Sequence, residues 1–434
     1  MAKNFTTDVE KEAKFAIFGV ISNGSFRSLW FGQIASQLAV AMIMFVLALR
    51  IYELTKSSTA VAGLYLTFGI PAFIFGLIGG AIVDHFDKRT ILMFCDLLRA
   101  VLAVGLLFLS HNVFIVYLMA LVYAVVTQFY VPAEAPSIPR LVPQSQLVTA
   151  NSLFSFTFYT SLALGGVLAG PVLLLLGPNL VFVLIGALFL TAFWNASHVP
   201  KESGKREIPT WQQMTAFGYV TTQIIKSMRE GIAYVRRSAV LLDALLLLTG
   251  TQVILGLLGT LGPGFADKLL HIDVRTSSVI IIAPVVLGII FGALWVGNAG
   301  FRYNPKRLIK VGIVGAGTML ILISLTVRMR FLLGRISISG NSIIIPLELV
   351  LFFLLGAANS LLDVPANSIL QKEAKGDMRS RVYGVLTAAV GGIGIIPTVI
   401  SGVLADTIGV GKVIFVLGIG VTGYGLYRIK SSSN

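Results

Sequence analysis

TAVAGLYLTFGIPAFIFGLIGGAIV at 59–83, DHFDKR at 84–89 and TILMFCDLLRAVLAVGLLFLS at 90–110 decide how the chain is read. A helix needs about 20 apolar residues to cross the hydrocarbon of a bilayer. In lipid, every backbone amide must find its partner within the segment, which leaves a helix as the form for such a run. Two apolar runs joined by six residues that include Asp84, Asp87, Lys88 and Arg89 therefore read as a transmembrane hairpin. Working outward in both directions, apolar stretches recur at 28–52, 59–83, 90–110, 113–133, 147–176, 179–198, 238–266, 276–298, 308–327, 344–366, 382–407 and 411–428. They are numbered spans 1 to 12, and the expected fold class is an all-α polytopic membrane protein.

The composition agrees. Of 434 residues, 56% are hydrophobic and 12% charged, against roughly 25% charged in a soluble domain. A net charge of +14 would suggest nucleic acid in a soluble protein, but here the basic residues fall in every second connection. With the N-terminus in the cytoplasm, 24 of the 33 Lys and Arg lie on the inner side, eight lie outside and Arg99 lies within a span. The positive-inside rule then places both termini in the cytoplasm of a multi-pass protein of the inner (plasma) membrane. The expected partners are the lipid bilayer and a small substrate, with no nucleic acid, and the expected state is a monomer.

Residues 1–26 mix Asp8, Glu10, Lys11, Glu12 and Lys14 with a short apolar run and offer no small-residue cleavage site, so they read as a retained cytoplasmic leader. Cys95 is the only cysteine, and the four histidines are scattered at 85, 111, 198 and 271. That usage provides neither a disulfide nor a metal cluster. The chain shows no nucleophile with its base and no phosphate-cradling glycine loop, so no enzyme activity and no cofactor are expected.

The long inner connection divides the spans six and six. The boundaries are an N-terminal bundle at 27–198, a cytoplasmic linker at 199–237, a C-terminal bundle at 238–428 and a tail at 429–434. Within the linker, apolar residues from Trp211 to Val235 recur mostly at three- and four-residue steps, while Lys226, Arg229, Glu230, Arg236 and Arg237 fall elsewhere, the pattern of a helix lying on the membrane surface. The halves also echo one another: Gly166-Val167-Leu168-Ala169 returns as Gly402-Val403-Leu404-Ala405, and Val131-Pro132-Ala133 as Val364-Pro365-Ala366. A parallel six-plus-six repeat is the build of a rocking transporter.

On these residues the chain resembles the major facilitator superfamily. Gly80-Ala81-Ile82-Val83-Asp84-His85-Phe86-Asp87-Lys88-Arg89 is similar to the superfamily's signature between spans 2 and 3, with His85 where an arginine is usual. Gly166, Gly170 and Pro171 resemble the first part of the motif associated with antiporters, although Leu174 and Leu175 replace its closing glycine pair. Phe26 to Gln33, Asp96-Leu97-Leu98-Arg99 and the Pro139, Pro143 and Ala150-Asn151-Ser152-Leu153 run resemble the macrolide-efflux and enterobactin-exporter branch, while Ala39-Val40 stands where that branch often has Gly-Asp. The resemblance implies secondary active transport by alternating access, two pseudo-symmetric six-helix bundles, and a drive from protons or another coupling cation.

Four groups of residues are the candidate sites. An inner gate is expected from Gly80, Asp84, Asp87, Lys88, Arg89, Glu134, Arg140, Arg379 and Arg381, with Asp84 drawn to the start of span 11. Gly166, Gly170 and Pro171 are expected to pack and bend span 5. Asp96 and Arg99, three apart on one helix, are expected to neutralise each other as a structural ion pair. Asp243 and Asp363 show no local basic partner and are the candidate coupling acids. Since the superfamily lines its cavity with spans 1, 4, 7 and 10, the substrate-cavity set is Gln33, Gln37, Gln128, Asp243, Gln252, Asn359 and Asp363. The expected function is export of an amphipathic small molecule by proton antiport, with an importer or lysolipid flippase as alternative and a membrane-embedded enzyme as the rival from another class.

Overall fold

The computed structural model describes residues 18–83, 86–201, 228–334, 340–374 and 378–431. Among them, ten helices are long and apolar enough to cross a membrane, with Ser58–Ala72 as a shorter apolar helix. Helices Gly24–Thr55, Ser58–Val83, Lys88–Leu109 and Val113–Glu134 carry spans 1 to 4. Leu147–Ser197 carries spans 5 and 6 over 51 residues. At 1.5 Å per residue that would be about 75 Å, more than twice the hydrocarbon thickness, and the chain breaks at Gly177 (φ 77, ψ 173). Ala239–Phe265, Ala283–Ala299, Pro305–Gly334 and Gly340–Glu373 follow as spans 7 to 10. Span 11 is divided: Met378–Ala388, a π-helical turn at Ala389–Ile393, then Ile395–Ile408. Val410–Ser431 is span 12.

Short polar side chains start these helices where the sequence turns from connection to apolar run. Asp87 accepts from the Thr90 amide to open span 3, Asn112 from Phe114 and Ile115 to open span 4, and Ser238 from Leu241 to open span 7. Each such cap contributes about 1 kcal/mol. The outward faces keep large apolar groups: Phe108, Phe114, Trp194 and Leu175 are 72%, 73%, 65% and 83% exposed, a surface that only lipid satisfies.

The chain forms two compact units, Met1–Phe45 with Pro71–Thr221, and Val46–Ile70 with Thr222–Asn434. In the first, Phe26 meets Phe154 edge-on at 5.5 Å; in the second, Phe265 meets Phe352 at 5.8 Å. The sequence echoes have structural counterparts. Ala133 and Ala366, which close the two Val-Pro-Ala runs, are both completely buried, as are Ala169 and Ala405 to within 1%. Gly177 between spans 5 and 6 and Gly409 between spans 11 and 12 both take positive φ, 77° and 97°, a conformation open to glycine because it lacks a Cβ.

Pro171, expected to bend span 5, lies inside the helix, and the chain breaks six residues further on. Helical backbone runs on through Pro171 and stops at Gly177, because a proline inside a span removes one donor whereas Gly177 adopts a dihedral no helix contains. The leader lies outside the described residues up to position 17, as does the linker from 202 to 227; 228–237 is helical.

Candidate charge clusters and gating contacts

Three charged side chains are buried inside the first unit, two of them in contact. Asp96 is 0% and Arg99 1% exposed. The Arg99 Nη1 donates to Asp96 Oδ1 at 3.4 Å and to Ser36 Oγ of span 1 at 3.2 Å, and Ser36 donates to the same Asp96 oxygen at 3.0 Å. The guanidinium carbon lies 4.4 Å from the Tyr130 ring centre, with Tyr123 at 5.7 Å and Phe189 at 5.8 Å, so aromatic faces take the place of water around the cation.

Glu134 joins this cluster. It is the last residue of the span 4 helix, 6% exposed, and its Oε1 has no hydrogen-bond partner among the described residues. Tyr123, Tyr130 and Glu134 stand seven and four apart and so share one helix face, the face whose Tyr130 ring lies 4.4 Å from the Arg99 guanidinium carbon. Asp96 Oδ2 and Arg99 Nε are likewise buried without a partner among the described residues. Each buried orphan costs about 1–3 kcal/mol.

The second unit treats its acids differently. Asp243, without a local basic partner, meets a distant one: Arg428 Nη2 lies 2.5 Å from its Oδ2, and the Asp243 side chain is 40% exposed. Arg428 comes from the far end of span 12, so no local pattern announces it. Asp363 accepts from Thr251 at 3.0 Å. Glu348, absent from the candidate set, is 0% exposed, takes the Thr326 hydroxyl on one oxygen and leaves the other without a partner among the described residues. Its signal was available, since it is an acid inside span 10 and charges within spans are rare and costly.

At the end of the spans that basic-residue asymmetry assigns to the outside, residues 46–70 are clasped within the second unit. Asp406, near the end of span 11, accepts from the backbone amides of Ser58 and Thr59 at 2.9 and 2.8 Å and from Ser57 Oγ at 2.5 Å. These are free amides at the start of the span 2 helix, where a carboxylate is favoured. Lys268 lies 3.5 Å from Asp406. Asp267 takes Tyr52 at 3.2 Å and Lys56 at 3.3 Å, and Glu53 takes Arg275 at 3.1 Å. Gly402 makes room for the approach: a methyl group there would lie 2.8 Å from the Ser58 carbonyl oxygen. In the first unit the corresponding close contact falls on Gly165, one position before the expected Gly166, with the Leu38 carbonyl 2.8 Å from where a methyl would stand. Gly166 and Gly170 lie in the same helix.

The other gate candidates are dispersed. Asp84 lies outside the described residues. Asp87 is the cap of span 3, Lys88 is buried and donates to the Val83 carbonyl at 2.8 Å, and Arg89 is half-buried. Gly80 is within the span 2 helix, Arg140 is exposed on the short helix Ile138–Leu141, and Arg379 is in Met378–Ala388. Arg381 pairs with Glu230 of the 228–237 helix, a partner the sequence reading did not name.

Of the cavity set, Gln33 is buried and spends both ends on span 5, donating to the Phe154 carbonyl at 3.3 Å and accepting from Thr157 at 3.0 Å. Gln128 donates to its own helix at Ala124, 3.1 Å away. Gln37 is buried, Asn359 is buried with its Oδ1 lacking a partner among the described residues, and Gln252 is exposed. No group of three His, Cys, Asp or Glu side chains able to hold a metal occurs among the described residues.

An all-helical chain with a repeated turn, apolar outer faces and few charges within its spans has the build of a polytopic membrane transporter, not of an enzyme. It belongs to the Major Facilitator Superfamily, whose sequence profile matches residues 29–398. An uncharacterized MFS-type transporter of Bacillus subtilis (strain 168) is 26% identical over 87% of this chain and 85% of its own length. Macrolide efflux protein A of Streptococcus pyogenes is 23% identical over 89% of this chain and 90% of its own. Among solved structures, the nucleoside transporter NupG superimposes with a TM-score of 0.67 at 14% identity, covering 93% of this chain and 99% of that one. A bacterial homolog of the human lysosomal transporter Spinster does so with a TM-score of 0.67 at 13% identity, over 93% and 95%. These likenesses support the fold alone.

Proposed function

We propose that the chain exports amphipathic small molecules across the plasma membrane by alternating access, in exchange for protons, with bundles at 27–198 and 238–428 joined by the linker 199–237 and with both termini cytoplasmic. The observation that carries this reading is the clasp on residues 46–70. It is made of hydrogen bonds and part-exposed ion pairs around Asp406, Asp267 and Glu53, and exposed pairs of this kind are worth about 0–1 kcal/mol each, so they can break and reform in every cycle. The relative named for macrolide efflux supports the outward direction. The candidate substrate residues, the amides Gln33, Gln37, Gln128, Gln252 and Asn359 and the acids Asp243 and Asp363, suit a neutral or cationic amphiphile better than an anion.

Purified protein in proteoliposomes with an imposed pH gradient tests this. The expected result is concentrative movement of a macrolide against the proton gradient, collapsed by a protonophore. Movement only down the macrolide's own gradient, or movement of lysolipid in its place, would overturn it.

A further inference from the structure

Asp96, Glu134 and Arg99 are three charged side chains buried in the first unit. Two carboxylates face one guanidinium, and one acid oxygen on each carboxylate has no partner among the described residues. The groups facing them are Ser36 from span 1, Cys95 from span 3, Tyr123 and Tyr130 from span 4, and Phe189 from span 6; Arg99 is the cation among them. With both acids ionised the cluster carries one uncompensated negative charge; with one proton it is neutral. Where two buried acids share one cation, the proton belongs to the set and not to either residue.

The geometry points to the Asp96–Glu134–Arg99 cluster as the proton-binding site of this transporter, with Glu134 as the exchanging acid. Glu134 ends span 4 and still shows 6% exposure, whereas Asp96 shows none and is already engaged by Ser36 and Arg99. A proton arriving from the aqueous side thus meets Glu134 before Asp96. Its binding changes only charge, with no bond made or broken in the substrate. Asp243, engaged by Arg428, and Asp363, engaged by Thr251, are displaced as coupling acids.

The inference rests on the proton-exchange reading, and two readouts separate their failures. Infrared difference spectra of the purified protein across a pH titration should contain a carboxylic carbonyl band that is lost in Glu134→Gln and shifted in Asp96→Asn. An unchanged band in both variants overturns the site, whatever the transport assay gives. In proteoliposomes where the unsubstituted protein is concentrative, Glu134→Gln should lose at least tenfold in gradient-driven efflux while keeping substrate counterflow within about twofold. Retained concentrative efflux in Glu134→Gln overturns the assignment. Equal thermal unfolding midpoints for the two proteins exclude misfolding as the cause.

Discussion

The first unit carries its cation in the middle of the bundle, whereas the second holds its cations at the ends. Arg99 is 1% exposed and enclosed by Tyr123, Tyr130 and Phe189. In the second unit Arg428, Arg381, Lys268 and Arg275 sit at helix ends and meet partly exposed acids, and the fully buried acid Glu348 faces a threonine. A repeated scaffold therefore does not repeat its electrostatics. A buried charge set needs every member, because removing one leaves the others desolvated and uncompensated. Pairs at helix ends can part, since water replaces what the partner gave. The first arrangement suits a site whose charge must be controlled, the second contacts that open and close.

The comparison is most exposed to Arg99→Leu. Leaving Asp96 and Glu134 without their cation should destabilise the protein by about 3–5 kcal/mol, read as a large fall in the thermal unfolding midpoint in detergent. A small shift would mean that the cluster is open to water. Next comes Asp406→Ala, which removes three hydrogen bonds from the start of span 2 and should cost about 2 kcal/mol. In the same variant, Ser57→Cys on a Cys95→Ser background should react faster with an impermeant maleimide; unchanged labelling would remove the clasp from the cycle. Asp243→Asn breaks a pair whose acid is 40% exposed, so less than about 1 kcal/mol is expected, with efflux retained. Abolished efflux with full stability would return Asp243 to the coupling role. The smallest effect is expected for Glu348→Gln, which keeps shape and hydrogen-bonding capacity; stability should change by under about 1 kcal/mol. A loss as large as that of Arg99→Leu would erase the contrast between the units.

Much of the fold was legible because transmembrane helices announce themselves locally. Runs such as 90–110 and 113–133 became helices Lys88–Leu109 and Val113–Glu134 with shifts of a few residues at the ends. The division of span 11 by a π-helical turn at Ala389–Ile393 was not legible, since apolar content alone does not distinguish i+4 from i+5 bonding. Among the site residues, Asp96 and Arg99 were found together because a three-residue step on a helix fixes proximity. Glu134 was placed at the gate because its position at the end of a span was visible and the face it shares with Tyr130 was not weighed. Arg428 and Asp406 stand 185 and 348 residues from the groups they hold, a separation no spacing rule bridges.

By itself the sequence determined which segments are apolar enough to enter the bilayer, which short motifs recur in both halves, and which side chains share one turn of helix. Each of these follows from hydropathy and from the 3.6-residue period, which act over one turn or one span. The tertiary structure alone decided that Asp243 meets Arg428, that Asp406 caps span 2, and that Glu134 shares an interior with Asp96 and Arg99. Those pairings depend on how distant helices are rotated and packed against one another, and small residues and backbone turns such as Gly165, Gly177 and Gly402 set that arrangement.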